Sequence, residues 1–239
     1  MTKPLFMQDA YLTEATAEVV AHTEQGGVVL DRSLFYPTGG GQPGDQGVLV
    51  FDGGKTAVAT TVKGEGATVV LVPAEAGALP PIGAKVTQKL DWNIRLRHMR
   101  VHTALHLLSV VIPLPVTGGQ ISADKGRLDF KMPDPLEDKE AVEEALNDLI
   151  LQDFEVSESW ISDEELASNP GLVKTMSVKP PTGAGQVRLI RIGTPDRQVD
   201  LQPCGGTHVR RTGEIGPMRL GKVQNKGAQN RRVNIHFDE

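Results

Sequence analysis

The sequence predicts an α+β protein in two parts: a small antiparallel β-barrel over residues 1–88, then a mixed α+β domain over residues 89–239. Three observations predict it. Up to Leu90, short apolar runs alternate with glycine turns. At Asp91 the pattern switches to one long helical stretch. Beyond that stretch, helix signals and strand signals are interleaved.

The elements follow in order. Residues 19–21, 28–30, 48–51, 57–62, 69–72 and 85–90 read as strands, punctuated by Gly26-Gly27, Gly53-Gly54, Gly64, Gly66 and Pro80-Pro81. Strands this short at hairpin spacing suit a small barrel. Residues 92–112 are helix formers with no Gly or Pro until Pro113 stops the run. Gly118-Gly119 opens a loop, and residues 127–132 read as a strand. A second helix is expected with Asp134 as N-cap, Pro135 in the first position, and Ala141, Ala145, Leu149 and Ile150 as its apolar face. Ser162 with Glu165 forms a capping box for a short helix that Pro170 ends. Residues 187–192, 199–201 and 232–237 read as the remaining strands.

Composition narrows the function classes. The formal net charge of -5 counts against a general nucleic-acid coat but leaves room for a local basic face. No apolar run approaches the roughly 20 residues a membrane helix needs, and the N-terminus lacks the apolar stretch of a signal peptide. Cys204 is the sole cysteine, which rules out an internal disulfide and points to a reducing cytoplasm.

Chemistry concentrates in two segments. His102 and His106, four apart on the expected helix, share a face, and His98 lies on that face one turn earlier. Cys204 and His208 bracket Gly205-Gly206, whose flexibility favours a turn that folds both side chains toward one point. One thiolate with imidazoles is a donor set suited to tetrahedral zinc. Thr103 stands where a zinc peptidase of the HExxH kind needs its glutamate, so that class is excluded. A four-ligand zinc site is structural by default. A catalytic one needs a loose ligand, an expanded coordination, or a role for the ion in orienting substrate. The densest glycine cluster, residues 35–47, has no Gly-Lys-Ser/Thr continuation and is not a P-loop. Its backbone N–H groups suit close approach by a ligand, and Thr38, Gln42 and Asp45 bring polar side chains to it.

Four segments carry a resemblance: FYPTGGGQPGDQG (35–47), RHMRVHTALHLL (97–108), VTGGQISADKGRLDF (116–130) and CGGTHVRRTGEIG (204–216). Together, in this order, they resemble the AlaX-type trans-editing proteins, which are similar to the editing domain of alanyl-tRNA synthetase. In length, and in carrying the glycine-rich segment, the chain looks like the medium-sized class, standing without the synthetase's aminoacylation domain or C-terminal oligomerisation region. The resemblance implies a β-barrel followed by the α+β editing domain shared with threonyl-tRNA synthetase. It implies one zinc ion held by His102, His106, Cys204 and His208, with His98 left as a helix-surface residue. It places Gln120 in the substrate pocket as a tentative catalytic group, and the motif Thr38, Gly39, Gly40, Gly41 and Gln42 at the substrate, with the Thr38 hydroxyl reading serine. The implied activity is hydrolysis of serine, and also of glycine, from alanine tRNA while alanine is spared.

The implied partner is the acceptor end of alanine tRNA, bound by a monomer or homodimer. Phosphate binding needs local positive charge. Arg95, Arg97 and Arg100 on the helix, Arg210 and Arg211 after the CGGTH turn, and Arg219, Lys222, Lys226, Arg231 and Arg232 flank the ligand segments, while acidic residues gather in 137–165. Three readings compete: a zinc-stabilised RNA-binding module without catalysis, a related deacylase acting on another mischarged tRNA such as glycine on alanine tRNA, and a general zinc hydrolase of small esters.

Overall fold

The structure, a computed structural model, describes residues 1–174 and 185–238. The chain divides into two compact units, Met1–His98 and Met99–Glu239.

The first unit holds β1 (Lys3–Pro4), β2 (Glu14–His22), β3 (Val28–Leu30), β4 (Arg32–Ser33), β5 (Gly47–Phe51), β6 (Gly54–Lys63), β7 (Val69–Pro73) and β8 (Lys85–Leu90). Six of these close a barrel in the order β2-β3-β7-β6-β5-β8, every pair antiparallel. Alternation drives the closure: Val19, Leu30, Leu49, Leu71 and Val86 point inward and are almost wholly buried. The sequence expectation of a small antiparallel barrel holds.

At the end of β8, Asp91 caps helix α1 (Trp92–Val111), its carboxylate accepting from the Ile94 N–H at 3.2 Å. The second unit continues with β9 (Val116–Ile121), β10 (Lys125–Lys131), α2 (Lys139–Leu151), β11 (Val156–Ser162), α3 (Asp163–Ser168), β12 (Gln186–Gly193), β13 (Gln198–Pro203), β14 (Met218–Asn225) and β15 (Asn230–Phe237). They form a four-stranded sheet, β14-β15-β10-β9, and a three-stranded sheet, β11-β12-β13. A Cβ on Gly126 would meet Val101 at 2.6 Å and Leu105 at 3.1 Å, so α1 packs directly on β10 where that glycine sits.

Several expectations are corrected here. Gly118 and Gly119 do not open a loop. They lie in β9, opposite Asp129 and Leu128 of β10, because cross-strand pairing outweighs the weak strand preference of glycine. Helix α2 starts four residues later than expected. Asp134 precedes Pro135, which disfavours helical backbone there, and Arg231 donates to the carbonyls of Pro133 and Asp134. Asp138 takes the cap, accepting from the Ala141 N–H at 2.8 Å. Of the expected apolar face, Ile150 is buried, Ala145 and Leu149 are half-buried and Ala141 is exposed, while Leu146 joins Ile150 as a buried residue. The Ser162–Glu165 capping box forms as expected.

Candidate metal centre

Helix α1 is unbroken through His102 and His106, so both imidazoles leave the same face. Residues 204–210 run without regular structure from β13, bringing Cys204 and His208 to them. The ligand atoms of these four residues all lie within 4.8 Å of one another. The Cys204 sulfur is 3.4 Å from His102 Nε2 and 3.3 Å from His208 Nε2. A tetrahedral zinc with ordinary bond lengths needs nitrogen–sulfur separations of about 3.5 Å, which these two distances match.

The groups outside the four donors fit a metal as well. Thr103 donates its hydroxyl proton to the Met99 carbonyl at 2.9 Å, so its oxygen accepts from His208 Nδ1 at 3.1 Å. His106 Nδ1 donates to the Asp200 carboxylate at 2.9 Å. Both rings therefore direct Nδ1 to these partners and turn Nε2 toward the cluster, the arrangement typical of metal-bound histidine. Gln202 donates to Asp200 at 2.8 Å, and Lys174 forms an ion pair with its other oxygen. Arg188 of β12 clamps the turn itself, donating to the carbonyls of Cys204 and Gly206. The Gly206 N–H points at the Cys204 sulfur at 3.4 Å.

Electrostatics follow from this packing. Burial opposes charge on Cys204, yet His102 and His208 beside it hold its thiol well below the ordinary value. Burial likewise opposes charge on His106, but Asp200 and Cys204 outweigh it and push the ring up to about 9. Burial and the neighbouring His102 push His208 down to about 3. Burial would raise Asp200, but His106 and Lys174 bring it down to about 2. The cluster thus favours a thiolate beside a fixed carboxylate, as a cation site does.

His98 is buried rather than a surface residue and is not one of the clustered donors. Gln120 is exposed on β9, and its amide oxygen accepts from Arg127 Nε at 3.2 Å. It alternates with the buried Ile121, so it lies on the face of the sheet turned away from α1. The residues sequence reading missed are Thr103 in its orienting role, Lys174, Arg188, Asp200 and Gln202. One signal existed: β13 alternates, and its polar positions Asp200 and Gln202 are the buried ones.

The glycine-rich segment belongs to the first unit. Thr38 is exposed, and its hydroxyl donates to the Thr61 carbonyl at 3.2 Å while accepting from the Gly44 N–H at 2.9 Å. Gly39 and Gln42 bond each other's backbone in a tight turn, with Gly40 and Gly41 at its tip in positive φ. Gln42 is buried. A Cβ on Gly44 would fall 1.9 Å from the Thr61 oxygen, so that position admits glycine alone. Asp45 does not face a ligand: it is 1% exposed and ion-paired with Arg95. Arg95 is correspondingly excluded from any RNA contact. It is fully buried and donates also to the carbonyls of Ala10 and Leu34. Both follow from one cause: a buried carboxylate under the loop needs a buried partner.

Fold and site define a class. The family model for the threonyl and alanyl tRNA synthetase second additional domain matches residues 187–234, and that for class II (A) tRNA synthetases matches residues 7–94. Over 98% of its length the chain is 36% identical to alanyl-tRNA editing protein AlaX-M of Methanosarcina mazei, covering 95% of that protein. It is 35% identical to AlaX-M of Saccharolobus solfataricus, covering 98% of each. It is also 34% identical to the alanine–tRNA ligase of Pyrobaculum calidifontis, over 93% of this chain but 25% of the ligase. The chain belongs to the AlaX-M family of alanyl-tRNA editing proteins. No helix among the described residues is long and apolar enough to cross a membrane.

Proposed function

We propose that this protein is a zinc-dependent deacylase that removes serine from mischarged alanine tRNA. The observation that carries the reading is the four-donor cluster of His102, His106, Cys204 and His208, within 4.8 Å, in a chain of the AlaX-M family. Serine differs from alanine by a hydroxyl, and an alanine pocket rejects so small an addition poorly, which is what makes a second hydrolytic site useful. The editing site works in reverse, by demanding the hydroxyl.

In this reading the bound ion supplies Lewis acidity and positive charge at the ester carbonyl. The protein supplies the rest. Asp200 and Thr103 fix the rings of His106 and His208, so the donors need no reorganisation on binding. Thr38 reads the serine side chain: its own proton is committed to Thr61, so it has an oxygen lone pair to offer a substrate hydroxyl. Gly40 and Gly41, at the exposed tip, offer backbone N–H donors to the substrate. The wider RNA is the acceptor end of alanine tRNA.

The experiment is deacylation of Ser-tRNA(Ala), Gly-tRNA(Ala) and Ala-tRNA(Ala) by the purified protein, with and without metal removal. Zinc-dependent loss of serine with alanine retained is the expected result. Loss of glycine at an equal rate would widen the substrate class. No hydrolysis by folded, zinc-loaded protein would leave a closed, four-donor RNA-binding module as the better account.

A further inference from the structure

The four-stranded sheet of the second unit has two unlike faces. One carries Leu128, Phe130, Val233 and Ile235 into the core. The other is set out by the strand register. Lys125 lies opposite His236, which lies opposite Arg219. Gln120, Arg127 and Asn234 form a second row across β9, β10 and β15. Asp129, Arg232 and Gln224 form a third, and Lys131 faces Asn230 in a fourth. Period-two alternation along β9, β10 and β15 sends these side chains to the same side, and the register shift between Leu220 and Val223 brings Gln224 of β14 back into phase with Arg219.

The chemistry of this face departs from that of the molecule. The whole chain carries a net charge of -5. Here Lys125, Arg127, Lys131, Arg219 and Arg232 stand against one in-face carboxylate, Asp129, with Asp238 and Glu143 at the edge beside Arg219. Lys125, Lys131 and Arg219 are exposed. Asp129 holds the two central guanidiniums: Arg232 donates to both its oxygens at 2.8 and 3.0 Å, and Arg127 to one at 2.7 Å. Arg127 is further fixed through Gln120. Each guanidinium has five N–H donors, so these bonds orient the group and leave donors over. None of the named positions is Phe, Tyr or Trp, and the exposed His236 is the one ring among them, so charge and hydrogen bonding outweigh base stacking as the mode of recognition. Fixed cations with amide side chains between them suit an anionic, hydrogen-bond-accepting strand.

We propose that this face holds RNA, taking the phosphodiester backbone of the tRNA acceptor stem. The proposal rests on the deacylase reading for the identity of the RNA and on charge complementarity for its place. It assigns Gln120 a role at the RNA-facing surface, through Arg127, in place of one beside the metal donors. Positions that the sequence alone offered for RNA are sorted by it: Arg219 and Arg232 lie on the face, Arg95 does not.

The test is binding of uncharged alanine tRNA across a salt series. Three proteins are compared: the parent, Lys125→Glu/Lys131→Glu/Arg219→Glu, and Lys55→Glu/Lys85→Glu/Lys139→Glu, whose three exposed lysines lie off the face. The second and third carry the same change in net charge. Expected are a tenfold or larger loss of affinity in the face variant and a fall in the salt slope of about one per residue changed, with little change in the control. The milder Lys125→Gln/Lys131→Gln answers the question if the triple variant misfolds. Equal loss in face variant and control would overturn the proposal. So would a DNA duplex of the same length bound as tightly and as face-dependently as the tRNA, which would make this a general polyanion surface. Hydrolysis of the seryl ester of adenosine by the parent protein is measured beside it. Absence of hydrolysis with face-dependent RNA binding sinks the deacylase reading alone, and hydrolysis with face-independent binding sinks this one alone.

Discussion

Thr38 makes two hydrogen bonds inside its own loop, so removing its hydroxyl disturbs both the loop and whatever it reads. Thr38→Val and Thr38→Ser separate the two. If Thr38 selects serine, the ratio of Ser-tRNA to Ala-tRNA hydrolysis falls about tenfold or more in the valine variant, and the serine variant, which keeps the hydroxyl, retains it. Equal proportional loss on both substrates would leave Thr38 a holder of the loop only. Asp200 acts through His106, so Asp200→Asn is expected to weaken metal binding about ten- to a hundredfold in chelator competition, with the fold intact. Unchanged affinity would show that the ring orients itself without the carboxylate. Under the glycine loop, Arg95→Met strands a buried carboxylate and two carbonyls. Urea unfolding is expected to show a loss of about 3–5 kcal/mol, and a loss under about 1 would mean the buried pair contributes little to stability.

Strand pairing sets the second sheet, and Asp129 joins β10 to β15 within it. Burial would raise its carboxyl, but Arg232 and Arg127 hold it below its ordinary 3.8. A depressed folded pKa gives stability that is present above the unfolded value and lost as pH falls through the folded one. The stability gap between parent and Asp129→Asn is therefore expected to be full at about pH 6 and to shrink at about pH 2.5, read from urea midpoints. A gap constant with pH would mean the charge contributes nothing. Elements of this kind also mark what a sequence shows. The barrel strands, α1 and the Ser162–Glu165 cap were legible because local signals agree with the fold: alternation, an unbroken helical run, a paired cap. The four metal donors were legible because spacing brings two histidines onto one helix face and Cys204 with His208 onto one turn, while the choice of His102 and His106 over His98 came from the family resemblance. The strands at 116–121, 156–162 and 218–225 were not, since glycines and charges there are held by partners distant in the chain. Asp200 and Arg95 escaped for the same reason: a charged residue reads as exposed until its buried partner is known.

Across the whole molecule, metal binding and stability are linked because four donors converge only in the folded second unit. Chelation is expected to lower one thermal transition by several degrees in scanning calorimetry and leave a metal-insensitive one in place, since the first unit holds none of the donors. Identical traces with and without chelator would show that the cluster holds no metal in solution. The cluster also joins segments far apart in the chain: His102 and Cys204 are 102 residues distant. At a synthesis rate of about 5–20 residues per second, the two helical histidines emerge roughly 5–20 seconds before their partners on the turn. During that interval the nascent chain has half a site, with two imidazoles and no thiolate. Any ion the cluster takes is therefore loaded late in the life of a new molecule, and a chain stalled before Cys204 leaves the ribosome lacks two of the four donors needed to hold one.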